Sequence, residues 1–138
     1  MPAFIADASV TLPWCFQDEA TRWTDSLLDR LLRGDRIVVP AHWPTEVSNG
    51  LLMGFRRKRI QPGYPEMFWD QLAALPIEIE PPLTPAQSKT VLALCEQHGL
   101  TVYDAAYLEL AKRRGLPLAT QDSALAKASR LEGVLLIA

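Results

Sequence analysis

The sequence predicts an α/β fold: a three-layer α/β/α sandwich around a central, mostly parallel five-stranded sheet. Three observations lead there. Short apolar runs alternate with amphipathic stretches from end to end. Those runs are continuous rather than alternately apolar and polar, as strands covered on both faces require. No linker, repeat or low-complexity tract interrupts the 138 residues, so a single domain spanning 1–138 accounts for the chain.

The elements follow in order. AFIA (3–6) is a buried strand ending at Asp7. A loop with Ser9, Thr11 and Pro13 comes next, then a helix over about 18–33, whose Trp23, Leu27, Leu28, Leu31 and Leu32 recur at helical spacing before Gly34 stops it. RIVVP (36–40) is the second strand. Pro44 suits the first turn of a helix running through Val47, Leu51 and Phe55 to about Arg59. QPGYP (61–65) turns into a helix over about 65–74, and PIEIE (76–80) is the third strand. Thr84 is placed to cap a helix over about 85–98 that ends at His98-Gly99. Thr101 opens another, stopping at Gly115. PLAT (117–120) is the fourth strand, DSALAKASR a short helix and VLLIA (134–138) the fifth strand.

Composition narrows the function. Hydrophobic residues make up 49% of the chain, which argues against disorder. No apolar run reaches the roughly 18–20 residues of a membrane span, and MPAFIADASV lacks the basic start of a signal peptide, so a cytoplasmic location is expected. Cys15 and Cys95, neither of them in a CxxC pair, read as buried reduced thiols. GxGxxG, Walker-type and GxSxG patterns are absent, which speaks against a nucleotide cofactor and a serine nucleophile. The net charge is −2; with four acids occupied by metal, 14 bases would face 12 acids, a balance compatible with a polyanionic substrate.

Four acids stand out: Asp7, Glu46, Asp104 and Asp122. Each has a local explanation. Asp7 follows a strand as a cap would, Glu46 lies in a helix's first turn, Thr101-x-x-Asp104 is a capping-box-like pattern, and Asp122 precedes an alanine-rich helix. Together they carry more. In a doubly wound parallel sheet the strand C-termini share one edge, where ligands bind at the switch in strand order. If that order switches beside the first strand, the four acids converge. Two carboxylates about 4 Å apart repel by roughly 4 kcal/mol at an effective dielectric of 20, so the group calls for protons or a divalent cation. An all-oxygen site favours Mg²⁺ or Mn²⁺ over zinc. His42 precedes the expected helix start and so lacks fixed i,i+4 geometry with Glu46, and His98 suits a helix C-terminus. Metal-assisted phosphodiester hydrolysis is the chemistry such a site suggests.

IADASV (5–10), PTEVSNGL (44–51), TVYDAAYLELA (101–111) and ATQDSALAKA (119–128), in this order and spacing, resemble the PIN-domain family, in particular the VapC-type toxins of prokaryotic toxin–antitoxin pairs. The resemblance spans essentially the whole chain. It implies that Asp7, Glu46, Asp104 and Asp122 form a metal-binding catalytic quartet for Mg²⁺, with Mn²⁺ as a substitute, and that Ser9, Asn49 and Thr120 assist. It further implies endonucleolytic RNA cleavage, a homodimer, and inhibition by a VapB-type antitoxin. A nuclease of RNA processing without a toxin role and a non-catalytic PIN-like scaffold are the alternatives. A phosphoacceptor receiver domain is rejected, because it needs paired acids after the first strand and an Asp after the third.

Two basic runs, Arg56-Arg57-Lys58-Arg59 and Lys112-Arg113-Arg114, suit RNA phosphate or an acidic partner, or simply complement helix C-termini. Trp14 and Trp43 suit base stacking or packing at an interface, the latter preferred. Trp23 and Trp69 read as core or interface residues.

Overall fold

The first strand, β1 (Ala3–Ala6), lies in the middle of a four-stranded parallel sheet, because every residue from Phe4 to Ala6 is apolar and completely buried. The computed structural model describes residues 2–138; Met1 lies outside the described residues. After β1 come α1 (Ala8–Cys15), a 3₁₀ turn (Gln17–Glu19), α2 (Arg22–Leu32), β2 (Arg36–Val39), α3 (Trp43–Arg56) and α4 (Tyr64–Ala73). β3 (Ile77–Ile79), α5 (Pro85–His98), α6 (Val102–Arg114), β4 (Leu118–Ala119) and α7 (Ser123–Leu131) complete the chain. No helix of the described residues is long and apolar enough to cross a membrane.

Sheet order is β3-β2-β1-β4. Ile5 faces Val38 on one side and Leu118 on the other, so β1 sets the register for both neighbours. The chain steps outward from β1 to β3 and then returns to the far side of β1. With right-handed crossovers, α1–α4 therefore cover one face and α5–α6 the other. The contacts agree: α1 packs on α2 and α3, and α3 on α4, while α6 packs on β1, α5 and α7. The switch in strand order falls between β1 and β4, the condition on which convergence of the acids depended.

Three expectations need correction. The segment with Ser9, Thr11 and Pro13 is a helix. Pro13 has no N–H for the Ser9 carbonyl four residues earlier, and the Gln121 side-chain amide donates to that carbonyl instead, at 2.6 Å. The second helix begins at Arg22 rather than about residue 18, because Thr21 and Thr24 form a reciprocal capping box. The fifth strand is absent: VLLIA makes a single parallel bridge, Leu118 to Leu136. Leu118 donates to the Leu135 carbonyl and accepts from Ile137 N–H. Its partner β4 has only two residues, too few to extend a ladder.

The α1–α3 contact positions the segment that follows Asp7, and it depends on absent side chains. A Cβ at Gly54 would lie 2.4 Å from the Phe16 ring, and that ring is backed by the Arg59 guanidinium at 4.3 Å. Gly→Ala within a helix ordinarily gains about 1 kcal/mol. Here overpacking reverses the sign, and Gly54→Ala should lose about 1–3 kcal/mol in urea denaturation. Gly50→Ala meets the branched end of the flexible, half-buried Leu12 side chain and should cost less. Equal stability of the two variants would contradict this packing.

Candidate acidic metal site

All four acids stand at helix N-termini. Asp7 occupies the N-cap position of α1, Glu46 and Asp104 the first turns of α3 and α6, and Asp122 the N-cap of α7. Asp7 and Asp122 thus leave adjacent strands on either side of the switch point.

The capping explanation can be checked acid by acid. Asp122 does cap: its Oδ1 accepts from Leu125 N–H at 2.8 Å. Asp7 makes no capping bond despite its position. Its carboxylate instead accepts from the Ser9 hydroxyl on Oδ1 and the Thr120 hydroxyl on Oδ2, each at 2.5 Å. At Asp104 only half of the box forms. The Thr101 hydroxyl accepts from Asp104 N–H at 3.2 Å, and the Asp104 carboxylate has no hydrogen bond among the described residues. Glu46 Oε1 accepts from the Tyr107 hydroxyl at 2.6 Å.

Electrostatics ties these groups together. Asp7 is 5% exposed, and burial pushes its pKa from 3.8 to about 6. The Ser9 and Thr120 hydroxyls oppose that rise, while the charges of Asp104 and Glu46 add to it. Asp104 is also raised, first by burial and then by Asp122 and Glu46. Every member of the quartet therefore acts on at least one other. Burial also pushes Glu46 upward, but His42 and the Tyr107 hydroxyl outweigh it and leave it below the usual range.

The hydroxyls of Ser9 and Thr120 are joined to a wider frame. Gln121 N–H donates to Ser9 Oγ at 2.9 Å, and Asp122 N–H to Thr120 Oγ1 at 3.0 Å. The loop after β4 is thereby fastened to the first turn of α1 through the residues that hold Asp7. Asn49 differs. It is exposed, and no hydrogen bond among the described residues joins it to the acids.

Sequence reasoning missed Tyr107 and Gln121, since nothing local marks the partner of either. It also misjudged His42. Helix α3 begins at Trp43, one residue earlier than expected, and His42 is its N-cap residue in helical conformation. The i,i+4 relation therefore exists. His42 Nε2 lies 3.2 Å from Glu46 Oε1, out of line for a hydrogen bond, and is buried without another partner.

The donor set suits a hard, hydrated cation. Among the described residues no three His, Cys, Asp or Glu side chains stand close enough to ligate one ion together. Mg²⁺ does not require that, because it keeps several waters and binds through one or two carboxylates. Oxygen donors, a buried carboxylate with a raised pKa and mutual repulsion fit such an ion.

The sequence matches the PIN domain over residues 4–131. The chain belongs to the PIN domain family. The fold of this PIN domain is also similar to that of PAE2754 from Pyrobaculum aerophilum (TM-score 0.68, 21% identity, covering 92% of this chain and 86% of that one). A toxin-antitoxin complex from Klebsiella pneumoniae gives a TM-score of 0.63 at 15% identity, covering 87% of each chain. VapBC2 from Rickettsia felis, bound to a DNA fragment from its promoter, gives 0.67 at 14% identity, covering 98% of this chain and 97% of that one. No curated protein matches the chain.

Other expected features of the PIN domain change status. Lys112 pairs with Glu132, Arg113 with Glu80 and Glu109, and Arg114 with Glu78 and Glu80, so the second basic run is taken up in ion pairs. In the first run Arg59 pairs with Asp18 and Glu19, whereas Arg56, Arg57 and Lys58 are exposed. His98 bonds Glu132 at 2.7 Å rather than only facing its own helix end. Trp43 is core, 1% exposed and edge-on to Trp69, so it offers no surface for a base or a partner. Trp14 is half-buried and donates to the Thr24 carbonyl. Both cysteines are free, but only Cys15 is buried.

Proposed function

We propose that this PIN domain is a Mg²⁺- or Mn²⁺-dependent endoribonuclease acting as the toxin of a VapBC-type pair, with Asp7, Glu46, Asp104 and Asp122 as its metal-binding residues. One observation carries the catalytic part. Asp7 is buried beside two other acids at the strand-order switch, with its pKa pushed up to about 6 and no capping role to account for it. A protein gains nothing from such a group unless a cation joins it.

A bound divalent cation supplies Lewis-acid polarisation of a phosphate oxygen and lowers the pKa of a water. The chain's own groups prepare for this. Ser9 and Thr120 hold both oxygens of Asp7 in one orientation, so it need not reorganise on binding. Asp104 keeps its carboxylate without a protein partner, and Asp122 commits only Oδ1 to its cap. Tyr103, next to Asp104, is 61% exposed and offers an aromatic face on which an RNA base can stack.

The toxin role rests on the similarity to proteins described as a toxin–antitoxin complex and VapBC2. A VapB-type antitoxin, a homodimer and action in the cytoplasm belong to the same reading. The test is incubation of purified protein with a labelled RNA in Mn²⁺, Mg²⁺ or EDTA. Internal cleavage with either ion and none in EDTA is expected. Cleavage that persists in EDTA, or none with either ion, overturns the catalytic reading. Light scattering of the pure chain, alone and co-expressed with the product of an adjacent short reading frame, tests the partners.

A further inference from the structure

Tyr107 is completely buried in the middle of α6, yet its hydroxyl reaches across to Glu46, 61 residues away in the chain. A phenol serves a core position only if its O–H finds a partner, and a phenylalanine would fill the same volume without that need. The partner here is one of the four acids. The Tyr107 hydroxyl and His42 Nε2 both approach the same oxygen, Oε1, at 2.6 and 3.2 Å. No hydrogen bond among the described residues goes to Oε2. His42 in turn packs on the Tyr107 ring, edge to face with centroids 5.2 Å apart.

The surroundings keep this donor in its role. Burial and the charges of Glu46, Asp7 and Asp104 all raise the Tyr107 pKa, which favours the protonated, donating hydroxyl. An O–H facing a carboxylate is a short, charge-assisted bond, and it joins the buried middle of helix α6 to the first turn of α3.

We infer that Tyr107 is a positioning residue: its hydroxyl holds Glu46 by Oε1 and leaves Oε2 as the oxygen offered to the cation, with His42 bracing the phenol ring. The inference rests on the metal-dependent reading above and deepens it. Glu46 is thereby treated like Asp7, which has two hydroxyls of its own. Removing such an outer partner typically lowers metal affinity about 10–100-fold.

The test is a double-mutant cycle read by Mn²⁺ binding, followed by electron paramagnetic resonance of the free ion, on wild type, Tyr107→Phe, Glu46→Gln and the double variant. Melting in EDTA checks each fold. Tyr107→Phe should weaken Mn²⁺ binding about tenfold, and RNA cleavage lost at low Mn²⁺ should return at saturating Mn²⁺. On the Glu46→Gln background the same change should add little. An unchanged Mn²⁺ affinity in Tyr107→Phe overturns the inference, as does an equal loss on both backgrounds. Should Tyr107→Phe not fold, Glu46→Asp withdraws the carboxylate from the phenol by one methylene and must weaken Mn²⁺ binding for the inference to stand. A wild-type protein that neither binds Mn²⁺ nor cleaves RNA overturns the nuclease reading itself, and Tyr107 with it.

Discussion

Asp7→Asn should abolish RNA cleavage and, in EDTA, make the protein more stable. The two effects share a cause. The folded state holds Asp7 at a pKa of about 6 against an ordinary value of 3.8. Well below pH 3.8 the group is protonated both folded and unfolded and contributes no difference. As pH rises through the interval, the unfolded chain loses its proton first, so stability falls, levelling off above about pH 6. The full penalty is on the order of 3 kcal/mol. An amide carries no charge to bury and still meets the Ser9 and Thr120 hydroxyls. Metal-free Asp7→Asn should therefore melt several degrees higher than wild type at pH 7.5 and at much the same temperature at pH 4. Saturating Mn²⁺ should raise wild-type Tm by roughly 5–10 °C and leave the variant nearly unmoved. Cleavage should fall by more than about a hundredfold, beyond the usual loss for an outer partner. A variant that is less stable than wild type in EDTA at pH 7.5 would show that the carboxylate serves the fold.

Thr120→Val is the second large effect, and it separates the frame from the ligands. The change keeps shape but removes one hydroxyl that does two things: it donates to Asp7 Oδ2 and accepts from Asp122 N–H. Asp7 loses a group that lowers its pKa, so ionisation moves above about 6. The acid limb of the cleavage profile should shift to higher pH, because the ion needs the ionised carboxylate. Metal affinity should drop about 10–100-fold, and the unpaired amide should cost about 1–3 kcal/mol of stability. Ser9→Ala should shift the limb in the same direction. Unchanged pH profiles for both variants would mean that the hydroxyls do not tune Asp7.

Local signals explain which parts of the fold were legible. The helix from Pro85 to His98, capped by Thr84 and ended by Gly99, and the one from Val102 to Arg114, ended by Gly115, follow from residues three or four positions apart. β1 and β2 follow from unbroken apolar runs. The apolar segment VLLIA carried the same signal and formed no strand, since a strand also needs a neighbour long enough to pair with. Thr21 delayed α2 and Gln121 rescued the Pro13 helix, through bonds that no periodicity reports.

The candidate site divides in the same way. The sequence alone determined that all four acids stand where helices begin, three of them soon after a strand and Asp104 after another helix, because turn and cap are written in neighbouring residues. The tertiary structure decided which of them are caps. Asp122 proved to be one, Asp7 and Asp104 did not, and Glu46 is held by a tyrosine from another helix. It also decided that Lys112, Arg113 and Arg114 face glutamates rather than substrate, and that Trp43 is core. The physical reason is range. A cap bond closes over three residues, whereas Thr120 for Asp7, Tyr107 for Glu46 and Glu78 for Arg114 are partners dozens of residues away that only folding brings within hydrogen-bond distance.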